Sequence, residues 1–183
     1  MTTEPSDTTD NGPTPTVRRA RSADAKLLAT LGARTFEDAF AADNTPDDMA
    51  AYVSTNFTPA KLSHELAEDS IHFLIAEVDG VPAGYAKLQW GRMESGLKAK
   101  RPVELSRVYV GREWLGRGIG AVLMERCIEE ARSSGADVLW LGVWERNDRA
   151  KSFYLKWGFR KVGEHDFMLG SDRQTDWLMA RNL

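Results

Sequence analysis

Between Leu115 and Gly120 the chain reads Leu-Gly-Arg-Gly-Ile-Gly, with glycine at alternate positions and an arginine between the first two. Glycine has no Cβ, so backbone amides in such a turn can close around an anion, and the Arg117 guanidinium adds formal charge. Upstream, Val103 to Val110 alternates apolar and polar residues of β-branched or aromatic type, which predicts a strand. Downstream, Ile119, Val122, Leu123, Ile128 and Ala131 recur at three- and four-residue spacing, and Gly135 is placed to stop the helix they predict. Strand, glycine turn and helix N-terminus together make an anion site, because first-turn amides lack partners and sit at the positive end of the helix dipole. The anion it suits is a phosphate. The spacing fits neither the dinucleotide pattern G-x-G-x-x-G nor the P-loop.

A second cluster follows at Asn147-Asp148-Arg149-Ala150-Lys151-Ser152-Phe153-Tyr154-Leu155-Lys156-Trp157-Gly158-Phe159. With the glycine turn it resembles the GNAT family of acetyl-CoA-dependent N-acetyltransferases, over about residues 17–183. That family's pyrophosphate loop reads [QR]-x-x-G-x-[GA], and its second motif N-x-x-A-x-x-F-Y-x-x-x-G-F is matched at every specified position. Leu115 stands where the family has Gln or Arg, which removes a side chain from the loop but leaves its backbone. The resemblance implies a single α/β domain with a mixed, splayed central sheet flanked by helices, and acetyl-CoA as cosubstrate without a metal. It further implies that backbone groups of Val108, Tyr109 and Val110 pair with the pantetheine arm, while Gly116, Arg117, Gly118, Ile119 and Gly120 hold the pyrophosphate. Asn147, Ala150 and Phe153 then border the cofactor. As side chains, the residues 108–110 are equally explained by sheet packing, and Asn147 equally by a helix cap.

Two residues have the chemistry to move protons. An amine attacking a thioester expels a thiolate whose thiol has a pKa of about 8.5, and the Tyr154 phenol, of pKa about 10, can donate to it. Helical geometry turns Phe153 and Tyr154 about 100° apart, so Phe153 is expected in the core and Tyr154 at the cofactor slot. The amine is an ammonium at neutral pH and must first lose a proton. Glu104 stands where some members of the family carry a catalytic glutamate, and strict alternation puts it on one strand face with Ser106 and Val108. A carboxylate that only orients substrate is the plainer alternative. Cys127, inside the helical pattern with no matched histidine, reads as a buried thiol.

The acceptor is read from charge. From Glu37 to Asp69 run eight acids, Glu37, Asp38, Asp43, Asp47, Asp48, Glu65, Glu68 and Asp69, against the single lysine Lys61. In the family this segment walls the acceptor site, where clustered carboxylates would attract a small cationic amine such as a polyamine; ordinary solvated helix faces carry such charges too. Asn44-Thr45-Pro46, Trp140 to Glu145 and the Gly170 to Asp176 segment resemble the bacterial spermidine/spermine N-acetyltransferase subgroup. A protein N-terminal or lysine acetyltransferase is the same-class alternative, and a non-catalytic acetyl-CoA-binding module the other. His64-Glu65 begins like a zinc motif, but Glu68 occupies the second ligand position.

Composition sets the frame. The chain has 183 residues, 42% hydrophobic and 28% charged, and a net charge of −3, which fits one domain and argues against nucleic acid as a partner. One cysteine precludes an internal disulfide, and no apolar run suggests a leader or membrane span. A cytoplasmic protein is therefore expected, and a homodimer is compatible with the sequence. Met1 to Thr16 carries six threonines, three prolines and three acids, and reads as a disordered tail. The remaining elements expected are a strand at Val17 to Ala20, a helix capped by Ser22 or Asp24 through Phe40, helices from Pro46 and Pro59, and a hairpin of Ile71–Val78 and Val81–Trp90. A strand over Asp137–Val143, a helix capped by Asn147, and closing strands Phe159–Leu169 and Trp177–Arg181 complete it.

Overall fold

The computed structural model describes residues 14–183. The expected tail 1–16 lies outside the described residues except at its end, where Thr16 already begins a strand. Seven strands form one sheet: β1 (Thr16–Arg19), β2 (Ile71–Val78), β3 (Val81–Trp90), β4 (Pro102–Val110), β5 (Val138–Trp144), β6 (Arg160–Leu169) and β7 (Asp172–Asn182). Their spatial order is β1-β2-β3-β4-β5-β7-β6. All pairs are antiparallel except β4–β5. Helices α1 (Ala25–Phe40), α2 (Pro46–Asn56) and α3 (Pro59–Ala67) cover one face, and α4 (Ile119–Ser133) and α5 (Asp148–Lys156) the other. The expected α/β architecture is present.

Local chemistry accounts for the helix starts. Thr45 and Thr58 accept from the amides of Asp48 and Lys61, and each is followed by a proline at the first helical position, where its missing N–H costs nothing. Neither Ser22 nor Asp24 caps α1 through its side chain. Asp24 instead bonds the Arg21 amide and pairs with Arg18 at 2.8 Å. Strand β7 begins at Asp172, five residues before the expected Trp177, and pairs with β6 from its first residue. Its start is polar (Arg173, Gln174, Thr175, Asp176) and lacks strand-like alternation; pairing on a finished hairpin overrides propensity.

Apolar packing centres on α4. Leu123, Met124 and Cys127 are fully enclosed against Leu105, Leu139, Leu141 and Met179 of the sheet. Each buried side chain of this size stabilises the fold by about 1.5–3 kcal/mol. Leu123→Ala would leave a cavity costing about 2–5 kcal/mol.

Two irregularities shape the centre of the sheet. Strands β4 and β5 pair only at Pro102–Val138, Val103–Leu139 and Glu104–Trp140, and then separate. In the β3–β4 ladder Lys87 faces Arg107 and Leu88 faces Leu105, so Ser106 is an extra residue, a bulge. One inserted residue reverses the alternation. Val108 and Val110 therefore pack on the α4 side with Leu105 and Val103. Glu104 does not share a face with Val108, as strict alternation predicts; it lies with Arg107 and Tyr109 on the side of α1–α3.

Candidate active site

The glycine turn has the geometry its sequence requires. Gly116 and Gly118 have φ of +77° and +81°, a region that L side chains rarely adopt, and an added Cβ at either would meet only open space. The restriction is conformational, and the space above the turn is free. Gly118 ends the turn and caps α4 in the left-handed conformation, and its carbonyl takes the amides of Ala121 and Val122. The amides of Gly118, Ile119 and Gly120 have no backbone acceptor among the described residues. Arg117 stacks over Trp114 at 5.3 Å, at the rim of this cradle. Leu115, the departure from the family loop, is exposed.

Above the turn, the Gly111 amide donates to Ala83 on β3 at 2.8 Å. Strand alternation then points the backbone groups of Val110 and Val108 away from β3, toward the side that β5 has left. Their amides and carbonyls face an opening where one more extended chain would fit. Tyr109 is different. Its backbone faces β3, and its ring sits with Tyr85, Phe36 and Phe40, with centroids 5.8, 6.2 and 6.3 Å away. Of the three consecutive residues expected to border the cofactor, the two valines line the opening and the tyrosine does not.

Helix α5 packs on the same side of the sheet as α4. Asn147 Oδ1 accepts from the Ala150 amide at 3.0 Å, so Asn147 caps α5 and Ala150 donates to it. Both aromatics pack toward the core, Phe153 against its edge and the Tyr154 ring within it. Phe153 is half-buried beside the start of α4, where a Cβ on Gly120 would stand 3.6 Å from its ring. Tyr154 is only 9% exposed and packs on Phe159, with Cys127 as a neighbour. The one-residue offset from Phe153 turns it under the sheet because Phe159 and α4 offer an apolar seat there. Its hydroxyl is not among the enclosed unpaired side-chain atoms of the described residues. Burial pushes the phenol far above its ordinary pKa, so it stays protonated across the physiological range. Cys127 is enclosed and its thiol is likewise pushed up by burial, which removes it as a nucleophile.

The opposite face of β4 is charged. Glu104 is 8% exposed; burial raises its carboxyl pKa, which the nearby Arg92 guanidinium (3.3 Å) opposes. One residue past the bulge, Arg107 stacks on Phe57 at 4.7 Å. Its cross-strand neighbour Lys87 is paired with Glu65 at 2.9 Å. On β7, burial raises the Asp176 carboxyl to about 6 despite the neighbouring His165. His165 of β6 lies 3.7 Å from both Asp176 and Glu94. This group leaves no local pattern, because its members come from β6, β7 and the loop after β3. The missed signal was Gly142, an exposed glycine in an otherwise apolar strand: a Cβ there would stand 2.8 Å from His165 Nε2.

The acidic wall is only partly present. Asp48 accepts from the amide and hydroxyl of Ser171 and from Thr45, tying α2 to the β6–β7 turn, and those hydrogen bonds lower its pKa. Glu65 serves Lys87. Glu37, Asp38, Asp43, Asp47, Glu68 and Asp69 are exposed. The carboxylates enclosed on this face near the β4–β5 opening are Glu104 and Asp176.

Residues 33–159 match the acetyltransferase (GNAT) family model. The chain belongs to that family. It is an N-acetyltransferase of the GNAT type, and use of acetyl-CoA is typical of such enzymes. An uncharacterised N-acetyltransferase from Lactobacillus delbrueckii subsp. lactis is 39% identical over 153 residues, covering 84% of this chain and 88% of its own. One from Mycobacterium tuberculosis is 36% identical over 160 residues, covering 87% and 98%. A PaiA N-acetyltransferase from Thermoplasma acidophilum, solved with coenzyme A, superposes with a TM-score of 0.75 at 20% identity, covering 93% of this chain and 99% of its own, a likeness of fold alone. Among the described residues no helix of this GNAT domain is long and apolar enough to cross a membrane.

Proposed function

We propose that the protein transfers acetyl from acetyl-CoA directly to a small primary amine, with both substrates bound at once. The observation that carries this reading is the free edge of β4 at Val108 and Val110, standing above a glycine turn with unpaired amides. The cradle fits a pyrophosphate: its donors are free, it has no Cβ to exclude the ligand, and α4 begins there. Acetyl-CoA supplies the activated acyl group and the thiolate leaving group. Glu104, its carboxyl raised by burial, takes the ammonium proton, directly or through water. Tyr154 donates a hydrogen bond at the departing sulfur. Full proton transfer from so weak an acid is uphill, so its part is charge stabilisation. With Cys127 enclosed, no acyl-cysteine step is needed.

A polyamine, the expectation drawn from the acidic segment, rests on Glu104 and Asp176 once Asp48 and Glu65 are assigned to structural contacts. A peptide α-amine is the second reading. An N-alpha-acetyltransferase RimI of M. tuberculosis is 32% identical over 57% of this chain, and an L-amino acid N-acyltransferase of Escherichia coli 35% over 47%. The deciding experiment is thiol release from acetyl-CoA against spermidine, spermine, monoamines, free amino acids and N-terminal or lysine peptides. Saturable release with a small amine supports the proposal. Release with peptides alone replaces it with the second reading, and acetyl-CoA binding without release from any acceptor favours a binding module.

A further inference from the structure

Arg107 is a cation without an anion. Its side chain is half-buried, and Nη1 has neither solvent nor a hydrogen-bond partner among the described residues. Among the described residues no carboxylate lies within ion-pair distance of it; Glu65, whose charge acts on Arg107 from a distance, gives one oxygen to Lys87. Around it stand Phe57, stacked on the guanidinium plane, and the phenols of Tyr52 and Tyr85, both close enough for the guanidinium to lower their pKa values against the effect of burial. The Tyr85 hydroxyl is itself enclosed and unpaired. Buried donors are normally satisfied, and a buried charge is normally paired. Here a guanidinium and a phenol, both unsatisfied, converge from adjacent strands. Arg107 follows the Ser106 bulge, beside the point where β5 parts from β4, so this box adjoins the opening.

A planar guanidinium fork flanked by phenol donors is complementary to a carboxylate, which accepts two parallel N–H bonds and has lone pairs left for a hydroxyl. A polyamine has no such group, and its ammonium ends would be repelled by Arg107 and Lys87. We propose that Arg107, with Tyr52 and Tyr85, receives a carboxylate of the acceptor, which makes the substrate class amines that bear a carboxylate, free α-amino acids foremost. The carboxylate end docks at Arg107, while the ammonium end meets the acidic groups Glu104 and Asp176 across the cleft. The inference rests on the transferase reading above and narrows its acceptor.

The test uses the full chain, saturating acetyl-CoA and matched pairs: L-phenylalanine against phenethylamine, and L-leucine against isoamylamine. The expected result is a kcat/KM about tenfold or more higher for the carboxylate-bearing member, as one charge-assisted bidentate contact implies. Arg107→Met removes that preference by lowering kcat/KM for the amino acids, and Arg107→Lys restores part of it. Equal kcat/KM within the wild-type pairs overturns the proposal. So does an Arg107→Met enzyme that slows both members of a pair alike, which would mark Arg107 as a structural residue. If Arg107→Met does not fold, Tyr52→Phe, which removes only one hydroxyl, is expected to narrow the preference several-fold. Absence of thiol release with every amine strikes the transferase reading instead. The carboxylate site is then judged by calorimetry with phenylpropionate in the presence of coenzyme A: wild-type binding that Arg107→Met or Tyr52→Phe weakens sustains it, and binding unaffected by either variant ends it.

Discussion

The two faces of β4 are built on opposite principles. Toward α4, Val103, Leu105, Val108 and Val110 meet only apolar neighbours, and the one uncommitted feature is backbone. Toward α1–α3, Glu104 and Arg107 lie among Lys87, Glu65 and Tyr85, with several side-chain atoms enclosed and unpaired. The first face can hold a cofactor by amides alone, so almost any apolar side chain serves there. The second discriminates by charge, and each of its residues depends on a specific partner. Binding of a common cosubstrate and selection of a particular acceptor are thus separated by the thickness of one strand.

The sharpest way to break this contrast is to remove one member of the Lys87–Glu65 pair. Glu65→Leu should destabilise the fold by about 3–5 kcal/mol in chemical denaturation, because it strands Lys87, only 7% exposed, beside Arg107. The double variant Glu65→Leu/Lys87→Met should recover most of that loss. If the single variant costs no more than a surface substitution, the charged face is solvated and the contrast dissolves.

Next in size is Asp176. Its carboxyl is raised by burial from 3.8 to about 6, so between pH 4 and 6 the folded state holds the proton more tightly than the unfolded chain. Wild-type stability should therefore fall as pH rises through that window, by at most about 3 kcal/mol at 1.36 kcal/mol per pH unit. Asp176→Asn should escape this loss. It should melt higher than wild type at pH 8 and alike at pH 4, and a higher melting point at both values would point to a cause other than the buried charge.

On the apolar face the expected effects are smaller and fall on function. Tyr154→Phe should lower kcat about 10- to 100-fold, with acetyl-CoA affinity intact, if the hydroxyl stabilises the leaving thiolate. Its stability should change by no more than about 1.5 kcal/mol, the upper end for loss of a single hydroxyl hydrogen bond. An unchanged kcat would reduce Tyr154 to packing. Smallest is Gly118→Ala, which forces φ of +81° on a residue with a Cβ and should weaken acetyl-CoA binding by about 1 kcal/mol, roughly fivefold. Gly118→Asn should lose less, because asparagine tolerates the left-handed region.

Much of the cofactor side was legible from residue order. The glycine turn, the α4 periodicity, the Asn147 cap and the β2–β3 hairpin depend on contacts within a few residues, where type and spacing act directly on backbone geometry. The acceptor side was not. Alternation misplaced Glu104 because a bulge at Ser106 shows no sequence mark of its own, and the acids at Asp48 and Glu65 were counted as free when distant partners had claimed them. The depth of Tyr154 was also not legible, since a helical offset fixes the angle between Phe153 and Tyr154 but not that packing on Phe159 encloses the second ring as well.

By itself, then, the sequence determined the family, the element order and the anion cradle, all of them consequences of local spacing. The tertiary structure alone decided the separation of β4 from β5, the meeting of His165 with Asp176 and Glu94, and the isolation of Arg107. Those are matters of which charges are left unpaired when seven strands and five helices close on one another. Pairing between residues far apart in the chain is settled only by packing.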